Sequence, residues 1–211
     1  MNTKLSEKSK NDILSNLCEA HKTEVLGKIN YVSKTIINKL FSTFESITQE
    51  TKLIENSYKS QSVSHETDEY DSIEKAYFAA VDHYLVQNNM KKEFLNSSFV
   101  WIFHLFEKDC AQIFSIRNGE KKKEFLEYIG VDVSEDSLWK KCNNELRNIA
   151  NVAKHGDNSL KQLEKTRPDL LNEEELQVSI EIFNHYVQNM VDFWDHFFSK
   201  ANAFKEENRI P

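Results

Sequence analysis

The chain has 211 residues with 27 basic and 34 acidic side chains, a formal net charge of −7, and only four glycines and two prolines. Average usage, roughly 12% for Gly and Pro together, would give about 25 such residues. Sandwiches, propellers and doubly wound sheets need them for their turns, so the deficit excludes those folds and predicts an all-α protein.

Three cysteines, Cys18, Cys110 and Cys142, are odd in number and widely separated. They form neither a zinc spacing nor a paired framework, which points to a reducing compartment. The first residues, MNTKLSEKSKND, are polar and unlike a signal peptide. The longest apolar run, Phe99 to Leu105, is interrupted by His104 and is too short to span a membrane. The expectation is a soluble cytoplasmic protein with no membrane segment, no metal and no cofactor.

In chain order, residues 3–20 are expected to form a short helix. Residues 24–55 read as one long helix, because Ile29, Val32, Ile36, Leu40, Phe44 and Ile47 step by three or four. The polar, Ser-rich stretch from Asn56 to Asp68 reads as a loop, after which Asp68 or Asp71 caps a helix running to about Val86. Residues 91–116 form the most apolar helix, with Phe94, Leu95, Phe99, Ile102, Phe103 and Phe106 around much of its girth. His104 within it is expected to be buried and hydrogen-bonded. A charged turn around Gly119 leads to a short helix over 121–128 that Gly130 ends. Ser134 or Ser137 starts the next helix, which runs to His155 and stops at Gly156. Asn158 or Ser159 caps a short helix before Pro168. Glu173 to Glu175 opens the last helix, which carries Phe183, Val187, Met190, Trp194 and Phe197 on one stripe. The sum is a bundle of about five to seven helices with a long N-terminal helix. Residues 1–60 form an N-terminal helical region suited to packing or dimerisation, and residues 68–205 form the bundle proper.

Chemistry concentrates between Leu138 and Gly156, LWKKCNNELRNIANVAKHG. At 100° per residue, Trp139, Cys142, Leu146, Ile149, Ala150 and Ala153 share an inward face. Asn144, Arg147, Asn148, Asn151 and His155 share the opposite stripe. Asparagine costs up to about 0.7 kcal/mol per helical site relative to Ala, so three of them beside Arg and His are a poor filling for a merely solvated face. An ordinary helix ending accounts for Lys154, His155 and Gly156, since cations suit a C-terminus and Gly takes the left-handed cap. It does not account for Asn148 and Asn151.

ELRNIANVAKHG resembles the motif helix of HEPN domains, the helical bundles of prokaryotic defence and toxin systems. Arg147–Asn148 and His155 match its Arg, the following Asn and the His near a helix end. The likeness extends over residues 70–200 through the aromatic helix ending in FHLFEK, the YIGVDV connector, a Trp before the motif and a closing aromatic helix. Seven residues lie between Arg147 and His155, more than the family's usual spacing, with Asn151 at the midpoint. The resemblance implies metal-independent RNA cleavage at a homodimeric site. His155 would be the general acid or base, Arg147 would stabilise the phosphorane, and Asn144, Asn148, Asn151 and Lys154 would bind or orient the phosphate.

Charge is uneven. Residues 117–167 hold 11 basic and nine acidic side chains, and Arg117, Lys121 to Lys123, Lys140, Lys141 and Lys154 could line a phosphate path. Two functions stay open: a ribonuclease toxin or effector with an antitoxin or effector partner, and a non-catalytic scaffold or sensor that binds a protein through the same stripe.

Overall fold

The computed structural model describes residues 4–36, 41–62, 69–172 and 175–210, and of residues 61, 62, 69–72, 157 and 158 the backbone alone. The fold is all-α; among the described residues the exception is one antiparallel pair of two-residue strands. Its elements are α1 (Glu7–Asn16), α2 (Glu19–Thr35), a 3-10 turn at Phe41–Phe44, α3 (Ile47–Ser62), α4 (Glu69–Phe114), α5 (Gly119–Tyr128), α6 (Leu138–Lys140), a π turn at Lys141–Glu145, α7 (Leu146–His155), α8 (Leu160–Thr166), strands β1 (Leu171–Asn172) and β2 (Glu175–Leu176), and α9 (Ile180–Asn208). Among the described residues no helix is long and apolar enough to cross a membrane.

Two compact units emerge, one from Met1–Ser33 with Asn96–Pro211, the other from Lys34–Leu95. This partition differs from the sequence boundary near residue 60. Residues 4–33 pack with the C-terminal bundle. The Leu5 N–H donates to Glu124 at 3.0 Å and Lys10 pairs with Glu124 at 2.9 Å. Lys22 pairs with Asp195, and Asn202 donates to Glu19. Beneath these, Ile13, Leu14, Leu17, Val25 and Ile29 are buried.

The core of this first unit is aromatic. Phe106 and Phe114 of α4 meet Trp194 of α9 at 6.0 and 5.9 Å between ring centres. Phe114 also meets Phe197 edge-on at 5.2 Å and Phe125 of α5 at 5.9 Å. Trp139 closes the cluster against Phe193 at 5.6 Å. All five positions expected on the α9 stripe are buried. In the second unit Phe41 and Phe44 pack on Phe94, and Ala76, Ala80 and Leu95 are buried.

The long N-terminal helix is not formed as expected. α2 and α3 are separate helices, with the 3-10 turn at Phe41–Phe44 and a turn over residues 45–46 before α3. The Ser46 carbonyl accepts from the Glu50 N–H, and the Ser46 hydroxyl bonds the Glu50 carboxylate. α3 also extends to Ser62, seven residues into the stretch expected to be a loop; its remainder, His65 included, lies outside the described residues. The two helices expected over 68–86 and 91–116 are one, since no Gly or Pro interrupts residues 69–114. Within it His104 is exposed and faces Glu107 at 3.3 Å, so it is not a core histidine. The last helix starts at Ile180, capped by Ser179, not at Glu173. Glu175 sits in the hairpin, where Leu171 pairs Leu176 and the Gln177 N–H reaches Leu170 O at 2.8 Å.

Candidate functional site

The helix that carries the candidate residues begins where Ser137 caps it, accepting from the Lys140 N–H at 3.3 Å. Of the apolar face the spacing predicts, Trp139, Cys142, Leu146, Ile149 and Ala150 are buried and Ala153 is half-buried, with Val152 buried beside them. Burial pushes the Cys142 thiol well above its ordinary range, as befits a small core residue. Halfway along, the Leu146 N–H reaches back to Lys141 O, a π turn that breaks the uniform 100° step. Gly156 ends the helix with φ 60° and ψ −136°, its N–H returning to Val152 O.

The polar stripe is not uniform. Arg147, Lys154 and His155 are exposed, while Asn144 and Asn151 are half-buried. None of these five has a hydrogen-bond or ion-pair partner among the described residues. Asn148 differs. It is buried, and its amide donates to Gln162 O at 3.3 Å and to Thr166 Oγ1 at 3.2 Å. α8 folds back after Gly156 and covers one edge of the stripe, so this asparagine ties α8 to α7. Periodicity along α7 could not show that, because the cover comes from the next helix.

Eight residue steps place Arg147 and His155 about 12 Å apart along the axis. Side chains lean toward a helix N-terminus, so Arg147 and His155 lean the same way and the separation persists within one chain. Of the lysines on the expected phosphate path, Lys140 pairs with Glu135 at 2.8 Å and Lys123 with Glu127 at 3.9 Å.

A second polar constellation was not visible in the sequence. The Tyr186 hydroxyl donates to Glu145 at 2.7 Å and accepts from Arg167 at 2.5 Å, and Arg167 makes a bidentate pair with Asp169 at 2.8 and 2.7 Å. Burial, with the Glu145 carboxylate beside it, pushes the Tyr186 phenol far above its ordinary range. The Asp169 pair holds Arg167 firmly protonated. This network fastens the π turn to α9. Glu145, Arg167 and Tyr186 lie far apart in sequence, and no spacing rule joins them.

A cavity of about 310 Å³ opens elsewhere in the same unit, lined by Asp12, Asn16, His21, Gln112 and Ser115 among others and by no residue of α7. At its side Cys18 Sγ lies 3.2 Å from His21 Nδ1. Among the described residues no three His, Cys, Asp or Glu side chains cluster as metal ligands. The chain matches no family model, no curated protein and no solved structure.

Proposed function

We propose that the chain is a HEPN-like protein of bacterial defence or toxin–antitoxin type that cleaves RNA without a metal, using Arg147 and His155. The observation that carries this reading is the exposed Arg147, Lys154 and His155, unpaired among the described residues, on a helix whose other face is wholly apolar. Long cations left without carboxylates suit a phosphate, which Arg meets with a planar fork of donors.

Two copies complete the site. Arg147 and His155 are equidistant in sequence from Asn151. A two-fold axis at Asn151 therefore sets the backbone of Arg147 of one protomer level with that of the partner subunit's His155. There His155 takes the proton from a ribose 2′-hydroxyl, or returns one to the leaving 5′-oxygen. The 2′-oxygen attacks phosphorus as the P–O5′ bond breaks, and Arg147 neutralises the equatorial oxygens. Asn144, Asn151 and Lys154 hold the phosphate. Asn148, with its amide hydrogens committed to α8, acts by positioning.

The test is induced expression of wild type and His155→Ala in a bacterial host, with total RNA on a denaturing gel. Fragmentation by the wild type alone is expected; intact RNA from both, with normal growth, overturns the catalytic reading. The 12 Å separation of Arg147 and His155 within one chain favours a second reading, a non-catalytic scaffold or sensor that binds an antitoxin or effector protein through the same stripe. In that case Arg147→Ala and Asn151→Ala weaken assembly on a sizing column and there is no nuclease activity to lose.

A further inference from the structure

The first half of α4 has two faces. One is used within its own unit: Ala76 and Ala80 are buried, and His83 Nε2 points to Glu50 at 3.6 Å. The other carries Ile73, Tyr77, Phe78, Tyr84 and Leu85 at 48, 61, 54, 46 and 52% exposure, around a half-buried Val81. At 100° per residue these six lie within about 140° of arc. Soluble proteins do not usually leave aromatic side chains in such a continuous patch unless something covers it.

We infer that this face binds a second copy of the chain, antiparallel, with the two-fold axis at Val81. Three observations select a second copy over another occupant. First, the face is self-complementary: Tyr77, Phe78, Val81, Tyr84 and Leu85 sit at −4, −3, 0, +3 and +4 from Val81, so reversal maps Tyr77 onto Leu85 and Phe78 onto Tyr84. An isologous interface requires this property. Second, exposed Glu74 precedes Val81 and half-buried Lys91 follows it, with Lys75 and Glu93 near them. Antiparallel copies bring each Glu74 to about one turn from the partner's Lys91. Third, the apolar area suffices. The five exposed side chains offer on the order of 600 Å² per copy, so two copies reach about 1,200 Å², the lower bound for a stable interface. Tyr and Phe are also the residues enriched at the centres of such interfaces.

This interface is separate from α7 and stands whether or not α7 cleaves RNA. Cross-linking tests it, because a residue on a two-fold axis faces itself. In the full chain carrying Cys18→Ser, the remaining cysteines, Cys110 and Cys142, are buried. Val81→Cys in that background, treated with a short bismaleimide, is expected to give a band at twice the 24.8 kDa chain mass. Met90→Cys, exposed on the other side of α4, is the control and stays at single mass. Adding Tyr77→Lys to Val81→Cys is expected to abolish the doubled band while circular dichroism keeps its helicity. Val81→Cys cross-linking no better than Met90→Cys overturns the proposal, as does a doubled band that Tyr77→Lys leaves intact. If Val81→Cys loses helicity, an equal mixture of Phe78→Cys and Tyr84→Cys chains replaces it, because reversal sets Phe78 of one copy against Tyr84 of the other, with the same outcomes.

Discussion

Asn148 and Arg147 are neighbours in sequence with opposite fates. The Arg147 side chain is in solvent, while the Asn148 amide is spent on Gln162 and Thr166. Removing a buried donor leaves its acceptors unsatisfied at about 1–3 kcal/mol, whereas surface truncations stay within about 0.5 kcal/mol. Urea unfolding should therefore show Asn148→Ala destabilised by the larger amount and Arg147→Ala and His155→Ala almost unchanged. Equal, small effects at all three would mean that α8 is not held through Asn148. Asp109 makes a separate pH prediction. Its side chain is fully buried in α4, one carboxylate oxygen has no partner, and Lys28 is only distantly engaged at 3.5 Å. Burial raises the Asp109 pKa, with Lys28 opposing more weakly. A carboxyl whose folded pKa lies above its unfolded one binds more protons when folded across that interval, so its stability contribution falls as pH rises through it. Asp109→Asn should thus be more stable relative to wild type at pH 7 than near pH 4, with the difference between thermal midpoints narrowing on acidification. A constant difference would show that folding leaves the Asp109 pKa where it is in the unfolded chain.

At the level of elements, what the sequence shows is what local chemistry decides. The inward face of the motif helix, its Ser137 cap, its stop at Gly156 and the aromatic stripe of α9 all follow from spacing and capping, and all are present. The differences fall where a distant partner decides or where the sequence carries no local mark of a break. The π turn at Lys141–Glu145 is held by Tyr186, 41 residues beyond Glu145, and the interruption between α2 and α3 occurs without Gly or Pro. α4, by contrast, runs unbroken through QNNMKK, because Asn is a poor helix former but not a helix breaker. Gly156 is the element whose geometry most constrains the candidate site, since it turns the chain from His155 into α8. At φ 60° and ψ −136°, with nothing within 4 Å of an added Cβ, the obstacle to a side chain is backbone strain alone. Gly156→Ala should cost about 1–3 kcal/mol, read by thermal unfolding. A neutral result would show that the exit from α7 adapts without strain.

The whole molecule departs most from its sequence in how the N-terminus is used. Amphipathic pattern alone marks residues 1–60 as helical but cannot say which core they join, since hydrophobic burial is non-directional. The assignment of residues 1–33 to the C-terminal bundle comes from pairings more than 100 residues apart: Leu5 and Lys10 with Glu124, Lys22 with Asp195, Asn202 with Glu19. The ion pairs are largely at the surface and contribute little; what anchors the segment is apolar burial, with Leu14 fully enclosed and Leu17, Val25 and Ile29 nearly so. A detachable N-terminal region and an integral one give different results for the same substitution. In an integral segment, Leu14→Ala opens a cavity in the shared core and lowers the stability of the bundle by about 2–5 kcal/mol. Trp139 and Trp194 lie in that bundle, far from residue 14 in sequence, so their fluorescence reports its unfolding. The urea midpoint followed by tryptophan emission should drop in Leu14→Ala with the slope unchanged. An unmoved midpoint would mean that residues 1–33 unfold independently of the helices that carry Arg147 and His155.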